Sequence, residues 1–159
     1  MGVHERDYIL RLIQLLAQAV ARIFGLKRAG KLDEALEAVS LTVDEIFGTL
    51  RITLDAIDPQ TAAMLLADHE RLKAYALLTA EEASILELMG NAARAKGGYI
   101  RALLLYLEMA IREEKPHEDV SAAIAHLRHA VDESKLPQRY RDALVSQRPT
   151  TTSSTPRPN

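Results

Sequence analysis

Any chemistry in this chain must rest on histidines, carboxylates and hydroxyls, because its 159 residues include no cysteine. Disulfides, thiolate metal sites and thiol nucleophiles are thereby excluded. His117, His126 and His129 fall on one predicted helix, close in sequence to Glu118, Asp119, Asp132 and Glu133. A metal site needs ligands that converge, with ordered groups behind them. His126 and His129 are three residues apart and share a helix face, but His117 lies at the start of that helix, nine residues earlier. No His-Glu-x-x-His pattern occurs. The one Glu-x-x-His, Glu114 to His117, spans Pro116, so its members cannot share a continuous helix as a di-iron carboxylate site requires. These histidines read as solvated surface groups, with no metal and no cofactor expected. Ser40, Ser84, Ser121, Ser134 and Ser146 have no recognisable base partner, and no phosphate loop, nucleophile elbow or dinucleotide fingerprint is present. Pairs of catalytic carboxylates are defined by geometry rather than spacing. A metal-dependent or carboxylate enzyme in a helical bundle therefore stands as the alternative to a non-catalytic protein.

The elements that would position such groups are helices. Ala, Leu, Ile, Glu and Arg dominate the composition and aromatic residues make up only 4%, which favours helices over strands. An all-α chain of this length suits one domain with a sizeable core, and we expect it to span residues 1–147. The net charge is −2, with basic residues scattered among acidic ones, so no positive field for nucleic acid is expected. The polar opening Met1-Gly2-Val3-His4-Glu5-Arg6-Asp7 does not read as a signal peptide, and with the lack of cysteine it favours the cytoplasm.

A first helix is predicted over residues 5–29, with an unusually wide apolar face. Only Arg11, Gln14, Gln18 and Arg22 form a polar strip. These recur too often for an integral membrane segment, so the helix should be covered on most sides by the fold or by a second copy. Gly30 supplies its left-handed cap. A second helix is predicted over 32–50, then a less regular stretch to Ala67 in which Asp58-Pro59 caps a short helix. From His69 a further helix runs to Lys96 or breaks near Thr79. Gly97 and Gly98 mark the next turn, and a central helix follows over 99–114, ended ahead of Pro116. Residues 117–134 form another helix, Pro137 opens the last one to Gln147, and the Pro/Thr/Ser/Arg tail 148–159 should be disordered.

Gly30 and Gly97 are 67 residues apart, close to twice the roughly 34-residue period of tetratricopeptide repeats. In the second of these segments Gly90 and Ala93 occupy small positions, Gly97 the turn, Tyr99 the following aromatic, and Ala102 and Tyr106 the small and aromatic positions of the second helix. The segment 86–109 thus resembles a tetratricopeptide repeat. Met109 and Pro116 depart from the pattern, and the flanking segments match it in degenerate form. The resemblance implies antiparallel hairpins in a tetratricopeptide-like right-handed superhelix, with a compact helical bundle as the other arrangement. It also implies an inner groove lined by late positions of each first helix, which here are Lys27, Arg28, Asn91, Arg94 and Arg128. Such a stripe suits an acidic segment or a C-terminal carboxylate. The opening Arg6-Asp7-Tyr8-Ile9-Leu10-Arg11-Leu12-Ile13 with the Gly30 hairpin also resembles an uncharacterised family of short bacterial helical proteins, which implies a bacterial setting.

The sequence leads us to expect a protein- or peptide-binding adaptor or scaffold without catalysis, with self-association through the first helix. Association of that helix with a membrane surface is a weaker alternative, since Arg11 and Arg22 provide only a narrow basic face.

Overall fold

In the computed structural model, which describes residues 2–147, every regular element is helical. The expectation for residues 148–159 lies outside the described residues. Helix α1 (Val3–Arg28) ends at Gly30, whose φ of +71° places it in the left-handed region. The Gly30 N–H donates to the Lys27 carbonyl at 3.1 Å and the Lys31 N–H to the Leu26 carbonyl at 2.9 Å, so two of the helix's last carbonyls are satisfied. Helix α2 (Leu32–Phe47) returns alongside α1. The predicted second helix was to reach Leu50, but Gly48, at φ +56°, ends it early, and a separate helix α3 (Leu50–Ala56) occupies the start of the stretch read as irregular.

Helix α4 (Pro59–Leu66) begins as its sequence dictates. The Asp58 carboxylate accepts from the Thr61 N–H at 2.9 Å and the Thr61 hydroxyl at 2.6 Å, and Pro59 takes the first turn, where no N–H is needed. Asp68 caps α5 (His69–Leu88) by accepting from the Glu70 N–H at 2.8 Å and the Arg71 N–H at 3.3 Å. No break occurs at Thr79, because its hydroxyl donates within the helix to the Tyr75 carbonyl at 2.7 Å.

The second turn glycine is Gly90, and Gly97 is not a turn residue. Gly90 has φ +83°, its N–H donates to the Glu87 carbonyl at 3.0 Å, and the Asn91 N–H donates to the Leu86 carbonyl at 2.9 Å. Helix α6 (Ala92–Arg112) therefore starts seven residues before the predicted one and includes both Gly97 and Gly98. Asn91 caps it, accepting from the Arg94 N–H at 3.4 Å, and Ala92, Ala93 and Ala95 are strong helix formers that outweigh two interior glycines. Gly98 has a packing reason to be there. A Cβ built on it would lie 2.8 Å from the Ala83 Cβ on α5. The α5–α6 pair crosses too closely at this point for any side chain.

After α6, Pro116 leads into α7 (Glu118–Leu127). The helix expected to reach Ser134 stops at Leu127 and is followed by two short 3₁₀ turns, Arg128–Ala130 and Glu133–Lys135. Asp132 competes for the backbone here, accepting from the Ser134 N–H at 3.1 Å and its hydroxyl at 2.6 Å. Helix α8 (Gln138–Ser146) closes the described chain, after Pro137 as expected.

The α5–α6 hairpin is the centre of the molecule. Helix α5 packs against α1, α2, α4 and α6, so Leu72, Tyr75, Leu78, Ala83, Ile85 and Leu86 are buried on all its sides. Helix α6 also meets α4, α7 and α8, and every residue from Ala102 to Ala110 is buried. That run includes Glu108, with no exposed surface. Its carboxylate accepts from Arg139 Nε and Nη2, each at 3.0 Å, and from the Tyr140 hydroxyl at 2.8 Å. This buried charge thus fixes α8 against the central helix.

Candidate functional site

Helix α1 departs most from what its composition demands. Its 26 residues include an 18-residue window of mean hydropathy 1.6, yet only 11% of that window is buried. By length and composition alone the helix could cross a membrane. Leu12 and Ile23 enter the core, while Leu10 stays 51% exposed and Phe24 58% exposed. The fold therefore does not cover the helix on most sides.

Two clefts run between α1 and the helices beside it. Its polar strip, Arg11, Gln14, Gln18 and Arg22, lines a cleft shared with Ala38, Leu41, Thr42 and Glu45 of α2. Its apolar residues Ile13, Leu16, Ala17, Val20, Ala21 and Phe24 form one wall of a groove of about 840 Å³. Leu77 of α5, Tyr106 of α6 and Ala123 of α7 complete the apolar lining. Ala17 and Ala21 are one helical turn apart, and their small side chains leave this stretch of the wall open.

Charged residues sit on the margins of this groove. Lys73 Nζ lies 2.9 Å from Asp119 Oδ2 and 3.3 Å from Glu70 Oε2. Burial pulls the Lys73 pKa down, but the hydrogen bond to Asp119 and the attraction of both carboxylates outweigh it and hold it above its ordinary value. The same hydrogen bond holds the Asp119 carboxyl below the usual carboxylate range. Elsewhere on the margin, Lys27 Nζ donates to Ser84 Oγ at 2.7 Å and to Glu81 Oε2 at 3.2 Å. The lining residues carry three carboxylates, Glu70, Glu81 and Asp119, against the single ammonium of Lys73. Tyr106 is the polar exception among the apolar lining. Burial raises its pKa, so it stays a neutral phenol.

The five residues expected to form a cationic stripe are dispersed. Lys27 is engaged with Glu81 and Ser84, and Arg128 Nε with Glu133 Oε1 at 2.6 Å. Arg28 lies over the Phe24 ring at 5.7 Å, near the C-terminal end of α1. Asn91 and Arg94 belong to the start of α6, the second helix of their hairpin, because the turn is at Gly90. Arg94 lines a separate cleft with Arg51, Asp55, Tyr75 and Arg101. There Arg101 is already bonded to the Ile57 carbonyl at 2.8 Å and the Leu54 carbonyl at 2.6 Å.

His126 and His129 are exposed, as expected. His117 is exposed too, but it lies beside His69 and Glu113, which sequence reasoning did not single out. The wide apolar face of α1 did signal the groove. Its opposite wall, from Leu77, Tyr106 and Ala123, carried no signal, because three separate helices supply it.

Comparison of the chain with protein-family models, with curated proteins and with solved structures returns no match.

Proposed function

We propose that this protein is a non-catalytic helical binding scaffold that works as a pair, the α1 helix of a second copy lying in the groove between α1, α5 and α7. The observation that carries this reading is the uncovered apolar surface of α1 beside a groove of matching character. A groove that accepts the apolar face of an amphipathic helix is a recurrent mode of protein recognition. Charge complementarity selects the occupant. The groove's margin keeps one carboxylate in excess, Glu70, Glu81 and Asp119 against Lys73 and Lys27, whereas on α1 the exposed Arg6, Arg11, Arg22 and Arg28 outnumber Glu5 and Asp7. The N-terminal part of α1 supports the same choice, since among the described residues none before Leu12 is buried. In a two-fold arrangement each α1 serves as both wall and occupant. The Tyr106 hydroxyl supplies a donor for a backbone carbonyl of the incoming helix.

The binding surface is placed here rather than on the cationic residues named from the sequence, because Lys27 and Arg128 are neutralised within the chain. Binding is preferred to catalysis because the charged groups of the groove are paired with one another.

The double variant Ala17→Glu, Ala21→Glu tests the reading, as it puts carboxylates into the groove on positions where glutamate suits a helix. Light scattering should give twice the 17.6 kDa chain mass for the wild type and the chain mass for the variant, with unchanged circular dichroism. A wild type that stays monomeric at high concentration overturns the pairing. If that monomer floats with anionic vesicles, α1 is a membrane-surface helix instead.

A further inference from the structure

We propose that His69, Glu113 and His117 form a binding site for a divalent transition-metal ion of the zinc type. Three elements bring them together. His69 is the first residue of α5, Glu113 directly follows α6, and His117 directly precedes α7. The connection through Pro116 returns the chain so that both of its ends face the start of α5. One ligand atom from each residue lies within 4.8 Å of the others. His69 Nδ1 is 2.6 Å from Glu113 Oε1, and the two imidazole rings are 4.8 Å apart at 54°.

Ligand atoms about 2.0–2.2 Å from a tetrahedral zinc lie roughly 3.3 Å from one another. The set reaches that spacing if the His69–Glu113 edge opens slightly and the longest edge contracts, both within reach of side-chain rotation. The independent sign of a missing ligand is Glu113 Oε2, a buried carboxylate oxygen with no hydrogen-bond partner. An oxygen in that state is costly. Bidentate coordination, with Oε1 already turned to His69, would give Oε2 the partner it lacks.

The donor set selects the ion. Two imidazoles and one carboxylate suit zinc, cobalt or nickel, whereas calcium and magnesium call for oxygen ligands throughout. Three protein ligands leave a fourth position, which falls on the solvent side because His117 is exposed. Glu114 and Glu118, adjacent in sequence to Glu113 and His117, add negative charge that favours a cation. Bound there, the ion would clamp the start of α7 to α5 and so fix the wall of the groove that Asp119 and Ala123 provide. The site itself stands whether or not the groove holds a second copy.

Titration of the metal-free full-length chain with zinc chloride, followed by calorimetry, should show one equivalent bound and a raised melting temperature. Loss of partners in the outer shell of a metal site already costs about 10–100-fold in affinity, so His69→Gln and His117→Gln should each exceed about a hundredfold. Cobalt in place of zinc should give a visible absorption band that both variants lose. The exposed pair His126 and His129 provides the control, and His126→Gln, His129→Gln should bind as the wild type does. No zinc uptake by the wild type overturns the proposal. So does uptake that survives His69→Gln with His117→Gln, or uptake that disappears in the control.

Discussion

The Gly30 and Gly90 hairpins share one turn and have opposite fates. In each, a glycine in the left-handed region and the residue after it close the same two backbone hydrogen bonds, between 2.9 and 3.1 Å. Yet the second hairpin is the core of the molecule, whereas α1 of the first is the most exposed long helix. Apolar content does not explain the difference, since α1 is rich in Leu, Ile and Ala. Closeness of approach does. Gly98 lets the α6 backbone close onto the Ala83 methyl of α5, and other helices then cover both. Helix α1 packs chiefly against α2 and α5 and keeps much of its apolar face exposed. The second hairpin is scaffold, and the first is surface offered to something else.

The largest effect should come from the scaffold. Arg139→Ala removes the main counter-charge of Glu108, which has no exposed surface of its own, and leaves only the Tyr140 hydroxyl on that carboxylate. Breaking a buried pair from one side costs about 3–5 kcal/mol, so the urea midpoint should fall steeply with an unchanged slope. The Arg139 side chain is 41% exposed, so water admitted by its removal should bring the loss to the lower end of that range. A midpoint within error of the wild type would mean that α8 is not fixed by this pair.

Adjacent glycines in α6 sharpen the comparison further, with effects of opposite sign. Gly98→Ala forces a methyl group to 2.8 Å from the Ala83 Cβ and 3.5 Å from its Cα. Overpacking of this kind costs about 1–3 kcal/mol. Gly97→Ala meets nothing within 4 Å inside a helix, and should stabilise by about 0.5–1 kcal/mol. If Gly97 were a left-handed turn residue, as the repeat pattern implies, alanine there would destabilise. Thermal melts of the two variants decide between these assignments.

That pair of glycines also marks where the sequence was legible. Features fixed by neighbours in the chain were readable, such as the Asp58-Pro59 start of α4, the Gly30 cap and the buried run from Ala102 onward. Gly97 was misread because the adjacent glycines look like a turn, whereas Gly98 answers to Ala83, fifteen residues away on another helix, and Gly97 has no neighbour within 4 Å to require it. The metal-ligand set failed for a related reason. Sequence spacing drew attention to Glu114, but the carboxylate beside His117 is that of Glu113, and His69 is supplied from 44 residues upstream. The apolar excess of α1 was visible from its sequence. Which helices leave it uncovered was not, because that depends on how α5, α6 and α7 pack.

The smallest effect on stability belongs to α1 itself, and it separates the two hairpins most directly. Phe24 is 58% exposed, whereas its neighbour Ile23 is fully buried. Within a single chain Phe24→Gln removes little buried area and keeps a residue that suits a helix. The folding free energy at high dilution should stay within about 0.5 kcal/mol of the wild type. At high concentration the same substitution should weaken association, because it takes an aromatic ring from the wall of the groove and from the cation–π contact with Arg28. A core position cannot behave this way, since its loss is felt at every concentration. If Phe24→Gln lowered the melting temperature equally at all concentrations, the Phe24 end of α1 would be packed within its own chain, and the contrast between the hairpins would fail at that end.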